Sequence, residues 1–155
     1  DSISKWDISS APNDAWNSGS FLVAVKTAND PCPDGWRLPT NREINALDKG
    51  TNKSTAGTVQ NSATNYSAAK VLTSVFDPSI KMTIPFSGYR SASDGTLLSR
   101  GERGGFWSAT PNFGNTTQAV QWALYEMHPV NNNYPWATKS EAVSVRCIAT
   151  FPLDR

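Results

Sequence analysis

The chain reads as an α+β domain with two helices, short antiparallel sheets and long loops, and three observations predict it. A helix-start signature occupies Thr40–Glu43. A second stretch, Tyr66 to Phe76, spaces apolar residues at helical intervals. Segments at Lys81–Phe86, Val120–Met127 and Val143–Ile148 alternate apolar with polar residues, as half-buried strands do. Helices followed by a run of short strands, with neither an internal repeat nor a second core, give one α+β unit over residues 1–155.

The first helix is the best-defined element. Pro39 fixes its boundary, because proline is not tolerated in a helix interior. Thr40 and Glu43 form a capping box: the hydroxyl accepts from the N–H three residues on, and the carboxylate reaches back to the N–H of Thr40. Ile44 and Leu47 then share a buried face, and Gly50 ends the helix. The box gives Glu43 a complete structural role, so it is not a catalytic candidate. Residues 51–65, rich in Ser, Thr and Asn, read as an exposed loop. The second helix turns Ala69, Leu72, Val75 and Phe76 inward and stops at Asp77-Pro78.

The remaining elements follow from period and punctuation. Residues 1–20 are an irregular lead-in, with Trp6 and Trp16 as anchors. Phe21–Val25 is an apolar run of strand length, followed by the turn-rich stretch Asn29–Gly35. Met82, Ile84 and Phe86 share the inner face of a strand. Gly88 to Gly105 is a loop with repeated turn signals, and Phe106-Trp107 opens a strand. In the Val120 strand, Val120, Trp122 and Leu124 face one way, and Gln121, Ala123 and Tyr125 the other. Residues 128–139 form a loop before the last strand. Trp36 and Trp107 join the core with the earlier tryptophans.

Composition excludes several functions. The net charge is +1, which gives no electrostatic footprint for nucleic acid. No segment nears the roughly 18 apolar residues of a membrane span. His128 has no nucleophile or carboxylate patterned with it, so a triad is unsupported. Glu126 and His128 are too few ligands for a structural metal site. Asp94, Glu102, Glu126 and Glu141 are scattered and do not pair for hydrolysis. Gly101–Gly105 precedes a strand, so it builds no phosphate cradle at a helix start. The chain therefore reads as a non-enzyme. Cys32 and Cys147 are too distant in sequence for a CxxC site. They are either two buried thiols or one disulfide, which by closing so long a loop contributes up to roughly 4–5 kcal/mol.

Four segments in order resemble the Fibrobacter succinogenes major paralogous domain family: Pro31–Thr40 (PCPDGWRLPT), Ile84–Arg90 (IPFSGYR) with Asp94-Gly95, Gly105–Thr110 (GFWSAT) and Ser144–Ile148 (SVRCI). They span residues 31–148. The resemblance implies a C-type-lectin-like fold, a bacterial source and a Cys32–Cys147 disulfide, since both cysteines lie in matched segments. The chain departs from true C-type lectins: Glu-Pro-Asn, Gln-Pro-Asp and Trp-Asn-Asp are absent, so no cofactor is expected, and calcium, which that fold can carry, lacks its usual motifs. The cysteine pair of formylglycine-generating enzymes is missing too. Variable proteins of diversity-generating retroelements share that fold and vary its last third. Here that third is dense in Asn, Thr, Tyr and Trp, a composition that suits an adaptable binding face.

The expected function is an extracellular or surface-displayed binding module of adhesin or receptor type. Its setting is a bacterial cell surface, pilus tip or virion, and its ligand is a protein or a carbohydrate. The candidate contacts are Asn112, Asn115, Gln121, Tyr125, His128, Asn132, Tyr134 and Trp136. Trp136 beside Tyr134 in a polar loop is the sharpest of these, because an aromatic there stacks on a sugar ring or fills a partner's pocket. The alternative is a structural or assembly domain of a surface appendage or phage particle, docking only to neighbouring subunits.

Overall fold

A computed structural model of the chain describes residues 11–20, 23–126 and 136–150. Its elements, in order, are β1 (Trp36–Arg37), α1 (Asn41–Lys49), β2 (Thr51–Ala56), β3 (Ala69–Ser74), β4 (Lys81–Pro85), β5 (Tyr89–Arg90), β6 (Leu97–Leu98), β7 (Arg103–Pro111), β8 (Gln118–Tyr125), β9 (Trp136–Thr138) and β10 (Ile148–Ala149). They form four small antiparallel sheets, ordered β1-β10, β2-β3-β4, β5-β6 and β7-β8-β9.

The two-helix, C-type-lectin-like expectation is overturned: the described residues contain one helix, and the segment expected as the second is strand β3, the centre of a sheet. Lys70 explains the misreading. Ala68, Lys70 and Leu72 all point inward, at 3%, 4% and 1% exposure. A lysine at an inward position breaks the apolar alternation that marks a strand. Its ammonium donates to Thr55 Oγ1 at 3.1 Å and to the Glu126 carbonyl at 2.7 Å. Burial lowers its pKa, and Glu126 offsets part of that effect. Of the helical face expected here, Ala69 and Leu72 are buried, but Val75 and Phe76 are exposed.

Other boundaries move for equally local reasons. Residues 51–65 contain β2, whose polar composition suits a strand at a sheet edge with one face to solvent. Gly104 and Gly105 lie inside β7 rather than in a turn. A Cβ at Gly104 would stand 2.4 Å from the Pro85 carbonyl oxygen, and one at Gly105 would stand 1.8 Å from that of Trp122. Glycine thus lets the neighbouring strands close on β7. Of the apolar run expected as a strand, the described residues place Ala24 inward and leave Val23 and Val25 exposed. The final strand shortens to β10, and Trp36 is 46% exposed rather than a core anchor.

The capping box is as expected. Thr40 Oγ1 accepts from Glu43 N, and Glu43 Oε2 accepts from Thr40 N at 2.8 Å. Arg37 adds a bidentate pair to the same carboxylate, at 2.7 and 2.8 Å. Burial raises the Glu43 pKa, but the bonds from Arg37 and from the Thr40 backbone and hydroxyl outweigh it and hold the carboxyl low. Ile44 from α1 joins Leu72, Ile84, Phe86, Phe106, Trp122 and Leu124 in the main core. Phe106 and Trp122, paired across β7 and β8, meet edge to face with centroids 5.4 Å apart. The inward face read for β8 is buried at Val120, Trp122 and Leu124, but Ala119 and Gln121 on its other face are buried too.

Cys32 and Cys147 form a disulfide, with Cα atoms 5.7 Å apart. It sits beside the β1-β10 pair and packs with Leu38, Ala109 and Trp16. No helix among the described residues is long and apolar enough to cross a membrane.

Candidate binding face

Strand β7 is buried along its whole length, so among the described residues the sheet it starts offers contact at its tip, at its outer strand β9 and at its rim. The tip is the turn from Asn112 to Thr117. The Asn112 amide donates to Gln118 Oε1 at 3.1 Å, and its oxygen accepts from Gly114 N at 3.0 Å. Asn115 Oδ1 accepts from the Thr117 N–H at 3.0 Å and from its hydroxyl at 2.7 Å. Asparagine favours such turns because its side chain substitutes for a backbone partner two residues on. The side-chain oxygens of both residues are thus committed to holding the turn. Phe113, between them, is 67% exposed.

Trp136 opens β9 opposite Val120 and is 50% exposed. A tryptophan held in a sheet by backbone pairing, with half its surface in solvent, is an ordered contact group. Trp136 and the tip lie at the same end of the sheet, since β9 pairs with Gln118–Val120 at the foot of the turn.

Behind this edge, residues 11–16 pack over β7 and β8. Trp16 and Trp107 meet edge to face at 6.3 Å. They line an apolar, half-open cleft of about 50 Å³ with Pro12, Ala109, Pro111 and Ala119. Lys139 closes one wall, donating to the Ala11 carbonyl and to Asn13 Oδ1, both at 2.7 Å. Burial lowers the Lys139 pKa, partly offset by Asp14. The cleft is far below the roughly 300–1,000 Å³ of a small-molecule pocket, so it admits the end of a side chain rather than a whole ligand.

Gln121 is not on this surface. It is 3% exposed, and its side-chain Oε1 accepts from Arg103 Nη2 at 2.6 Å. Arg103 is flanked by the rings of Tyr89 at 4.2 Å and Tyr125 at 5.8 Å. Glu141 lies near it: burial raises the Glu141 pKa, and Arg103 opposes the shift. Tyr125, opposite Arg103 across the strands, is half-buried in this group. His128, Asn132 and Tyr134 fall outside the described residues. The structure therefore brings Asn112, Asn115 and Trp136 to one end of one sheet and assigns the buried Gln121 and the half-buried Tyr125 to the group around Arg103. Phe113 was missed in the sequence, although an aromatic within Pro-Asn-Phe-Gly-Asn, a turn between two strands, has nowhere to bury itself. No group of three or more His, Cys, Asp or Glu side chains that could hold a metal occurs among the described residues.

The four sequence segments singled out above converge around β7. Ala109 N donates to the Pro39 carbonyl at 2.8 Å, and Trp107 N to the Ser144 carbonyl at 3.0 Å. Asn41 N donates to Thr110 Oγ1 at 3.0 Å, and the Ser87 and Ser144 hydroxyls meet at 3.2 Å. With the disulfide, these contacts join all four segments into one frame. The chain matches the Fibrobacter succinogenes major domain over residues 7–149. It belongs to that family. The matched span takes in both the frame and the sheet end that carries Phe113, Asn115 and Trp136. No curated protein and no solved structure matches the chain, so the C-type-lectin-like relationship finds no support there either.

Proposed function

We propose that this major domain is a surface-displayed or secreted bacterial binding module, not an enzyme, that takes a protein or glycan ligand at the outer end of the β7-β8-β9 sheet. The observation that carries the reading is the half-exposed Trp136 on a paired strand, set at the same end of the sheet as the exposed Phe113. Aromatic rings present large, rigid contact area at low entropic cost and dominate binding hot spots. Asn115 adds an exposed amide whose NH₂ makes no bond among the described residues. The disulfide fits an oxidising compartment such as a cell surface. The reading requires no cofactor, and calcium has no part in it.

The test is capture on glycan and surface-protein arrays, with calcium and with chelator. Trp136→Ala should weaken capture by about 30-fold, the equivalent of a hot spot worth roughly 2 kcal/mol, while leaving the melting temperature near that of the parent chain. Capture that survives the combined Trp136→Ala and Phe113→Ala exchange would show that the contact lies elsewhere.

A further inference from the structure

The β3-β4 turn carries a second exposed apolar group, far in sequence from the face just described. Phe76 is 90% exposed, Ile80 61% and Val75 46%. The turn holds them rigidly. Ser74 Oγ accepts from the N–H groups of Phe76 and Asp77, each at 3.2 Å. Asp77 Oδ1 accepts from Ser79 N at 2.9 Å and from Ser79 Oγ at 2.7 Å. Ile80 N donates to the Asp77 carbonyl, Ser74 N to that of Ile80, and Val75 N to that of Gly50, each at 3.0 Å. Holding three apolar side chains in water on a fixed turn has no stabilising role within the fold.

The partner's chemistry follows from Asp77. A carboxylate next to Phe76 opposes entry into a bilayer, where a charged group is costly. It suits an apolar recess with a cation at its edge. This chain has such a recess: the Trp16–Trp107 cleft, with the Lys139 ammonium in its wall. Two of the three Lys139 N–H groups are used on Ala11 and Asn13, which leaves the third for a carboxylate; Asp14 acts on the same charge without bonding to it, so the incoming Asp77 shares the cation with Asp14. The cleft volume of about 50 Å³ takes the leading edge of a phenyl ring.

We propose that the Phe76–Asp77 turn of one copy docks into the Trp16–Trp107 cleft of the next, with Asp77 against Lys139. The two patches share no residue, so the contact is head-to-tail and repeats along an open chain. It does not rest on the ligand reading, because Trp136 and Phe113 belong to neither patch. A turn entering a cleft buries little area, so association is weak, with a Kd of roughly 10 µM to 1 mM.

Sedimentation of the full chain from about 10 µM to about 1 mM reads this out. The average mass should rise with concentration, and Phe76→Ser, Asp77→Lys and Lys139→Glu should each return it to the monomer. Mixing the Asp77→Lys and Lys139→Glu chains should restore association, because each turn then meets a cleft of opposite charge. Trp136→Ala should leave association intact. A parent chain that stays monomeric throughout, association indifferent to Phe76→Ser, or a folded pair of charge variants that fails to rescue overturns the proposal. If Lys139→Glu unfolds, Phe76→Ser decides alone, since its exposed ring contributes little to folding.

Discussion

Two hairpin tips of this molecule are built alike and differ in what surrounds them. The β3-β4 turn and the β7-β8 turn each hold an exposed phenylalanine, Phe76 and Phe113, on a backbone fixed by short polar side chains. At the first, Ser74 and Asp77 make the bonds and the neighbours are Val75 and Ile80. At the second, asparagines make them and the neighbours are Gly114, Asn115 and Thr116. The same device thus presents a charged, apolar surface at one end of the molecule and a neutral, amide-rich one at another. The proposed docking draws on the charge of the first tip, and the proposed ligand face on the neutral amides and aromatic rings of the second.

The comparison breaks most visibly beneath the tips. Trp122, at 2% exposure, and Leu72, at 1%, are the core residues of the two sheets. Denaturant unfolding should show Trp122→Ala losing about 3–5 kcal/mol and Leu72→Ala about 2–5 kcal/mol. A loss confined to one sheet, detected by hydrogen exchange, would mean that the two hairpins unfold separately rather than through their shared core. A smaller effect tests the second turn itself. Asn112→Ala removes bonds to Gly114 and Gln118 and should cost about 1 kcal/mol, with faster amide exchange at Gly114.

Acid should tell the tips apart. The Ser79 hydroxyl and N–H hold the Asp77 carboxyl below its ordinary pKa. A folded pKa below the unfolded one adds stability that is complete above the unfolded value and is lost as pH falls through the folded value. The Ser79 amide proton should therefore lose protection in that acid range, while Gly114, bonded to an asparagine, stays unchanged. Equal response at both amides would remove the chemical distinction between the turns. Least of all should change on Phe76→Ser and Phe113→Ser: each should leave stability within about 0.5 kcal/mol, as exposed positions do. A larger loss would place that ring against the body of the molecule.

How far the sequence carries the fold is plain from single residues. Thr40, Glu43 and Pro39 marked the helix start correctly because capping is a local matter settled within four residues. The inward face of β8 was legible because Val120, Trp122 and Leu124 are all large and apolar. Strand β3 was not, because Lys70 is buried and its compensating partners, Thr55 and Glu126, are distant in sequence. At the candidate site, Trp136 stood out as an aromatic among polar residues. Gln121 was misplaced because alternation shows that a residue faces away from the core, but not whether a further layer covers it.

By itself the sequence determined the helix and its cap, the inward face of β8, the family segments and their order, and the two cysteines that the family resemblance paired. Those depend on neighbours a few residues apart or on motifs carried whole. Tertiary structure alone decided that β3 is a strand, that Gly104 and Gly105 lie within β7, and that the four segments form a frame around it. It also decided which aromatics remain in water. The reason is physical: whether a side chain is buried depends on what packs over it, and in a molecule of small sheets those partners come from remote parts of the chain.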